Sequence, residues 1–156
     1  MNEPESVFGH QLRLRVGGLM VEQDAILLVK LQSPVTGKTV WMPPGGGVDF
    51  GESMVEALRR EFREETQTEI GVHRLLHLRE LIDEPYHAVE CYFEVSKITG
   101  KPSAGRDPEL GDRDQLIEDV AWTAVDELDN LPFEPLDLLR KLKHWRDRSS
   151  FDIFSP

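Results

Sequence analysis

The sequence predicts a mixed α/β fold of the α+β kind, a sandwich around a mixed β-sheet, and three observations carry that expectation. Apolar runs of strand length flank one sharply marked helix. A second helix with an apolar stripe lies near the C-terminus. The order β, β, β, helix, several β, helix lacks the regular alternation of a doubly wound parallel sheet. The 156 residues are the length of one domain, so 1–156 reads as a single domain, and 39% hydrophobic residues can form a core without disulfides.

The first segment, Leu12 to Leu31, reads as two strands around a turn at Glu22-Gln23-Asp24. Its second half, Ala25-Ile26-Leu27-Leu28-Val29, is a continuous apolar run suited to a strand covered on both faces. A polar turn, Ser33 to Lys38, leads to the β-prone Thr39-Val40-Trp41. Pro43-Pro44-Gly45-Gly46-Gly47 is excluded from helix and from a central strand. Ser53 and Glu56 form an S-x-x-E capping box, which starts a helix running from Met54 to about Thr66. Val72 to Ile82 and Ala88 to Ile98 read as strands separated by an Asp83-Glu84-Pro85 turn. Thr99 to Asp114, rich in Gly, Pro and charge, reads as a long exposed loop. Leu116 to Thr123 is a further strand, expected to be buried around Val120 to Trp122. The last helix is expected to have Pro135 in its first turn, with Leu138, Leu139, Leu142 and Trp145 as its apolar stripe.

Composition narrows the function. The 18 Lys and Arg against 29 Asp and Glu leave a net charge of -11, which argues against a nucleic-acid binder, because phosphate backbones are held by clustered basic residues. Phosphorylated small molecules stay open, since a divalent cation can supply positive charge. One cysteine, Cys91, excludes an internal disulfide and a Cys-built zinc site, and reads as an inert core thiol. No apolar run reaches the roughly 18 residues of a membrane span. Met1-Asn2-Glu3-Pro4-Glu5 lacks the basic and apolar regions of a signal peptide, so a cytoplasmic location without a membrane partner is expected.

Glu61, Glu64 and Glu65 stand at i, i+3 and i+4, within about 100° of one helix face. Like charges at this spacing destabilise a helix unless something neutralises them. On their own they also fit a solvated acidic face. Two features favour a site. Leu58 and Phe62 neighbour Glu61 and Glu65 on the helical wheel, so the acids border the buried stripe, and the preceding glycines let backbone approach a ligand closely. Oxygen-only donors of this charge density suit Mg²⁺, with Mn²⁺ as the alternative, rather than zinc.

Gly46 to Thr68 resembles the signature of the Nudix hydrolases, G-x5-E-x7-R-E-U-x-E-E-x-G-U, where U is a bulky apolar residue. Gly46 opens it, Glu52 follows, then Arg60-Glu61-Phe62 and Glu64-Glu65. Trp41-x-x-Pro44-Gly45-Gly46 is similar to the family's usual entry to this box. Gln67 and Thr68 depart from the pattern, where glycine and an aliphatic residue are usual. Because Gln pays about 1 kcal/mol for the left-handed conformation of a helix exit, Gly71 is a candidate for ending the helix later. The resemblance implies an alpha/beta/alpha sandwich and Mg²⁺-dependent hydrolysis of a nucleoside diphosphate linked to another group. It implies that Glu61, Glu64 and Glu65 ligate metal with the Gly45 carbonyl adding an oxygen, that Arg60 orients the glutamates, and that Glu52 supports the loop. For the general base it leaves Glu64, within the box, against Glu109 or Glu118 downstream.

Outside the box, Arg106 in Gly105-Arg106-Asp107-Pro108-Glu109 is a candidate phosphate contact, against an ordinary charged loop. Pro85 and Tyr86 lie 17 and 18 residues beyond Thr68, and in parts of the family a proline or tyrosine in this region accompanies preference for ADP-ribose or diadenosine polyphosphates. Tyr86 is therefore a candidate substrate contact, while Trp41 and Phe93 read as core. His73 and His77 recur at i, i+4 on one face of a strand, as a zinc pair or as ordinary strand residues. The apolar residues of Ser149 to Pro156 are expected to pack on their own domain or across a homodimer. The substrate class is a small nucleotide: ADP-ribose, a nucleotide sugar or a nucleoside triphosphate, with RNA ends disfavoured by the net charge. The alternative is a noncatalytic nucleotide-binding or regulatory module on the same fold.

Overall fold

The computed structural model describes residues 8–33, 36–105 and 117–155. In chain order these form β1 (Leu12–Leu19), β2 (Val21–Glu22), β3 (Ala25–Gln32), β4 (Thr39–Met42), β5 (Gly45–Gly47), α1 (Met54–Thr66), β6 (Glu69–Asp83), β7 (Tyr86–Thr99), β8 (Ile117–Ala124) and α2 (Leu138–Lys143). Stretches of 3₁₀ helix at Val125–Asn130 and Trp145–Ser150 flank α2. The strands divide into two sheets. The first has the order β5-β1-β7-β6 and is mixed, with β1 parallel to β7 and the other pairs antiparallel. The second is antiparallel and centres on β3, which pairs with β2, β4 and β8. Gly45–Gly47 thus forms an edge strand, where the two preceding prolines interrupt no ladder.

Alternation along β7 separates two cores, because successive strand side chains point to opposite faces. Cys91, Phe93 and Val95 join Ala57, Leu58 and Phe62 of α1 in one cluster. Tyr92 joins Leu138 and Leu142 of α2, with Leu76 and Phe133, in the other. Helices therefore cover both faces of the mixed sheet. Phe62 is fully buried, and a Cβ at Gly18 would lie 2.3 Å from its ring. Burial of that ring stabilises the helix–sheet contact by roughly 1.5–3 kcal/mol, and the glycine makes room for it.

The helix start is as expected. Ser53 Oγ accepts from the Glu56 N–H at 3.1 Å, and Glu56 Oε2 accepts from the Ser53 N–H at 3.0 Å. The exit differs from the expectation at Gly71, which lies within β6. Gln67 itself takes the left-handed conformation (φ 57°) directly after Thr66. Its side-chain amide donates to Ser103 Oγ (2.7 Å) and the Ala104 carbonyl (3.0 Å), which offsets the backbone cost. Thr68, where the family pattern has an aliphatic residue, is buried with its hydroxyl 2.6 Å from that of Thr66.

Two further expectations need correction, at β8 and at the last helix. β8 is half-buried at Val120 and Ala121 and exposed at Trp122, because among the described residues it pairs with β3 alone, at a sheet edge. The last helix begins at Leu138 rather than at Pro135, whose carbonyl instead accepts from the Leu138 N–H in a preceding turn. Its stripe is as read: Leu138 and Leu142 are buried, with Leu139 and Trp145 packed against the same core. His73 and His77 do not form a pair. Both lie on the sheet face of Tyr92 and Ser96, as ordinary strand residues separated by register shifts between Val72 and His77, with His73 meeting Ser96 and His77 meeting Lys141. Cys91 is buried, with its thiol pushed up by desolvation, and Phe93 is core. The C-terminal segment packs on its own chain: the Ile153 carbonyl accepts from the Leu78 N–H, and Phe151 packs on the core around α2. Among the described residues no helix is long and apolar enough to cross a membrane.

Candidate active site

Arg60, one turn and a half into α1, ties the acids of the glycine loop to those of the helix. Its Nε and Nη2 donate to the two oxygens of Glu52 at 2.9 and 3.0 Å, a bidentate fork. Nη1 donates to Glu61 Oε1 at 2.9 Å and to Glu64 Oε2 at 3.4 Å, while Nη2 also reaches the Gly47 carbonyl at 3.0 Å. Asp49 stands 3.8 Å from the same guanidinium, and its N–H donates to Glu52 Oε1. This fork holds Glu52 below the usual carboxylate range and Arg60 above its own usual value.

Glu65 belongs to a different contact. Its Oε1 accepts from the Gly45 N–H at 2.8 Å, joining the helix to the β5 edge. Gly46 lies against Glu61 so closely that a Cβ there would fall 2.5 Å from Oε1. Burial pushes Glu61 up to about 7, against the pull of Arg60, and pushes Glu65 well above its ordinary value. In both, desolvation outweighs the favourable contacts, so the site holds two carboxylates whose charged forms are disfavoured.

That penalty bears on a metal. Among the described residues no three His, Cys, Asp or Glu side chains converge to enclose an ion. The reason is visible: Arg60 draws Glu61 and Glu64 to itself, and Glu65 turns to the Gly45 amide. The donor chemistry nevertheless fits a hard divalent cation, with carboxylate oxygens of Glu61, Glu64 and Glu65 on one helix face.

Other candidates lie elsewhere. Glu118 stands on β8 of the second sheet, 3.9 Å from the Lys30 ammonium. Tyr86 begins β7 beside Pro85 and His10, at the end of the strand, whereas the glycine edge is level with Glu90 to Tyr92. That separation is four to six residues, or about 13–20 Å along the strand, so the structure does not bring Tyr86 to the carboxylates. Arg106 and Glu109 lie outside the described residues. The segment leading to them docks on the helix end, with the Gly105 N–H donating to the Glu65 carbonyl and Ser103 to that of Thr66.

A row of charges escaped the sequence reading. Gly47, Arg15, Glu90 and Arg79 are cross-strand neighbours in β5, β1, β7 and β6, so Arg15, Glu90 and Arg79 share one face. Glu90, only 8% exposed, lies 3.6 Å from Arg15 Nε and 3.1 Å from Arg79 Nη1 and accepts from the Tyr92 hydroxyl. Arg15 also draws Glu61 and Glu65 toward their charged forms, and Arg13 reaches Gly47 beside it. Their i, i+2 spacing in a strand was the available signal; what it faced depended on strand pairing.

The NUDIX domain family model matches residues 11–145. Similar solved structures include a MutT NUDIX hydrolase from Burkholderia pseudomallei, 30% identical, with 74% of this chain and 85% of that one aligned and a TM-score of 0.60. A NUDIX hydrolase from Nitrosomonas europaea is 18% identical over 90% and 93% of the two chains, with a TM-score of 0.73. An ADP-ribose pyrophosphatase from Streptococcus suis is 15% identical over 90% and 96%, with a TM-score of 0.66. No curated protein matches the chain in sequence.

Proposed function

Since the chain belongs to the NUDIX domain family, as a Nudix pyrophosphohydrolase, we propose that it hydrolyses the pyrophosphate linkage of a nucleoside diphosphate joined to another group, with Mg²⁺, or Mn²⁺ in its place. ADP-ribose, a nucleotide sugar and a nucleoside triphosphate are the substrate types in view, in a cytoplasmic setting. The observation that carries the reading is the gathering of Glu52, Glu61 and Glu64 on Arg60, with the half-buried Glu65 held to the Gly45 amide at the glycine edge.

Glu61, Glu64 and Glu65 would hold the metal, with the Gly45 carbonyl as a backbone donor. A divalent cation held by them would supply positive charge against the diphosphate oxygens and would favour deprotonation of an attacking water. Arg60 keeps Glu61 and Glu64 oriented and, through Glu52 and the Gly47 carbonyl, fixes the glycine loop against the helix. Arg15 and Arg13 supply guanidinium groups beside the loop, suited to phosphate oxygens. Glu64, in reach of solvent and held at one oxygen by Arg60, is the favoured general base.

A product-resolved assay tests this. Wild type and Glu64→Gln are given each substrate type with Mg²⁺ and with Mn²⁺. Metal-dependent cleavage between the phosphates, lost in Glu64→Gln with the fold retained, is expected. Equal rates in the two proteins would remove Glu64 and the site built around it.

A further inference from the structure

The mixed sheet ends at β6, and the outer edge of that strand is covered for part of its length. The C-terminal segment docks on it at Leu78, whose N–H donates to the Ile153 carbonyl at 2.8 Å. From Leu78 to Asp83 the pairing with β7 is regular, so alternate residues turn their main-chain groups outward. Leu78 sets the phase: Glu80 and Ile82 also point away from β7, while Arg79, Leu81 and Asp83 bond to it. Among the described residues nothing pairs with the outward groups of Glu80 and Ile82. An open edge of this kind is a template for another strand, and here it carries Leu81, 37% exposed, and Ile82, 64% exposed.

We propose that the occupant is a second copy of this chain, joined by antiparallel pairing of β6 with β6 of the partner subunit around a two-fold axis at Leu81. The edge itself selects this register. A two-fold perpendicular to the sheet must match outward groups with outward groups. Centred on Leu81, it sets Glu80 against the partner's Ile82 and Ile82 against the partner's Glu80, so both free positions are used. Centred on Glu80, it would need Leu78, which the C-terminal segment already holds, and would oppose Glu80 to the partner's Glu80. Centred on Ile82, it would oppose Glu80 to the partner's Glu84. The Leu81 register instead places Arg79 opposite the partner's Asp83, and Leu81 against the partner's Leu81. The edge is thus complementary in charge and in apolar contact to its own rotated image, which is what a symmetric partner requires.

Pairing of this kind joins two four-stranded sheets into one continuous sheet, with β5 of each copy at its far ends. Both candidate active sites, which lie at the β5 edge, therefore stay clear of the interface. The paired stretch is short, bounded on one side by the docked C-terminal segment and on the other by the turn at Glu84-Pro85. It falls below the size of a permanent interface, so the dimer exchanges with monomer, with an expected dissociation constant of about 0.01–1 mM.

Sedimentation equilibrium of the full chain, from about 5 μM to about 1 mM, tests the proposal and is expected to show a monomer–dimer equilibrium. Ile82→Pro removes an outward N–H without breaking the ladder to β7, and should weaken dimerisation at least about tenfold. Asp83→Arg, which opposes two guanidinium groups, should also weaken it, whereas Glu84→Arg, the same charge change outside the paired positions, should not. Under conditions where wild type is monomeric, all three variants should keep its melting temperature. A cysteine at the axis gives an independent readout. Leu81→Cys meets its own copy in a non-hydrogen-bonded pair, with Cα atoms about 4.5 Å apart, so mild oxidation should cross-link it faster than Glu80→Cys or Ile82→Cys. The native Cys91 is buried and supplies the background. A monomer throughout the concentration range would overturn the proposal and leave the edge to a strand of another protein. A dimer that persists in both Ile82→Pro and Asp83→Arg, or faster cross-linking at position 80 or 82 than at 81, would overturn it equally.

Discussion

Arg60 touches every acid of the candidate site except Glu65, and this asymmetry separates the roles of the carboxylates. A lysine at 60 would place one point charge among groups that need a planar fork, so Arg60→Lys should lose the bidentate Glu52 contact. Turnover is expected to fall about 10–100-fold, as for other groups that orient metal ligands, and the melting temperature to fall with it. Glu65→Gln should behave differently. A glutamine oxygen still accepts from the Gly45 N–H, while the buried charge is gone. The metal-free variant should be at least as stable as wild type in thermal denaturation, with turnover reduced by about 100-fold or more.

At the scale of elements, adjacent glycines of β5 predict opposite outcomes. A Cβ at Gly46 would meet the end of the Glu61 side chain, which can move aside, whereas one at Gly45 would fall 2.0 Å from the Val16 carbonyl on β1. Gly46→Ala is therefore expected to fold with a nearly unchanged melting temperature but to lose activity, because Glu61 is displaced. Gly45→Ala should separate β5 from β1 and destabilise the chain by about 1–3 kcal/mol or more. Chemical denaturation of the two variants beside a rate measurement distinguishes them; a stable Gly45→Ala would refute the edge pairing. The same close approach recurs at Gly105, where a Cβ would fall 1.7 Å from the Glu64 carbonyl, so the loop after β7 can dock on the helix end only through a glycine.

For the whole molecule, the raised carboxyl of Glu61 couples stability to pH. The unfolded chain releases this proton near 4.5 and the folded chain near 7, so the folded state binds more protons between them. Stability of the metal-free protein should therefore decline as pH rises from about 4.5 to 7, with Glu61 contributing a slope approaching 1.4 kcal/mol per pH unit, roughly. Glu65, shifted in the same direction by burial, adds to the decline. A divalent cation supplies stabilising positive charge only where the acids are ionised. Mg²⁺ should accordingly raise the melting temperature more at pH 8 than at pH 5, and an equal increment at both would argue against these carboxylates as its ligands. The net charge of -11 acts in the same sense, since metal binding relieves part of the repulsion.

Local rules placed much of this molecule in advance. The capping box of Ser53 and Glu56 set the start of α1, and the spacing of Arg60, Glu61, Glu64 and Glu65 put guanidinium and carboxylates on neighbouring parts of one helix, because both depend on residues within a few positions of one another. The strands on either side of Pro85 were legible for the same reason. The exit at Gln67 was not, because the hydrogen bonds that support its left-handed backbone come from Ser103 and Ala104, 36 and 37 residues away. Nor was the exposure of Trp122, which follows from β8 having β3 as its strand partner. Arg15, Glu90 and Arg79 are scattered in sequence and become one row only through the pairing of three strands, and Asp137 meets Arg79 only because α2 packs on the sheet. Short-range chemistry, carried by the glycine loop and its helix, was thus determined by the sequence alone. The charged groups gathered beyond them were decided by tertiary structure, since their proximity is a product of strand register and helix docking.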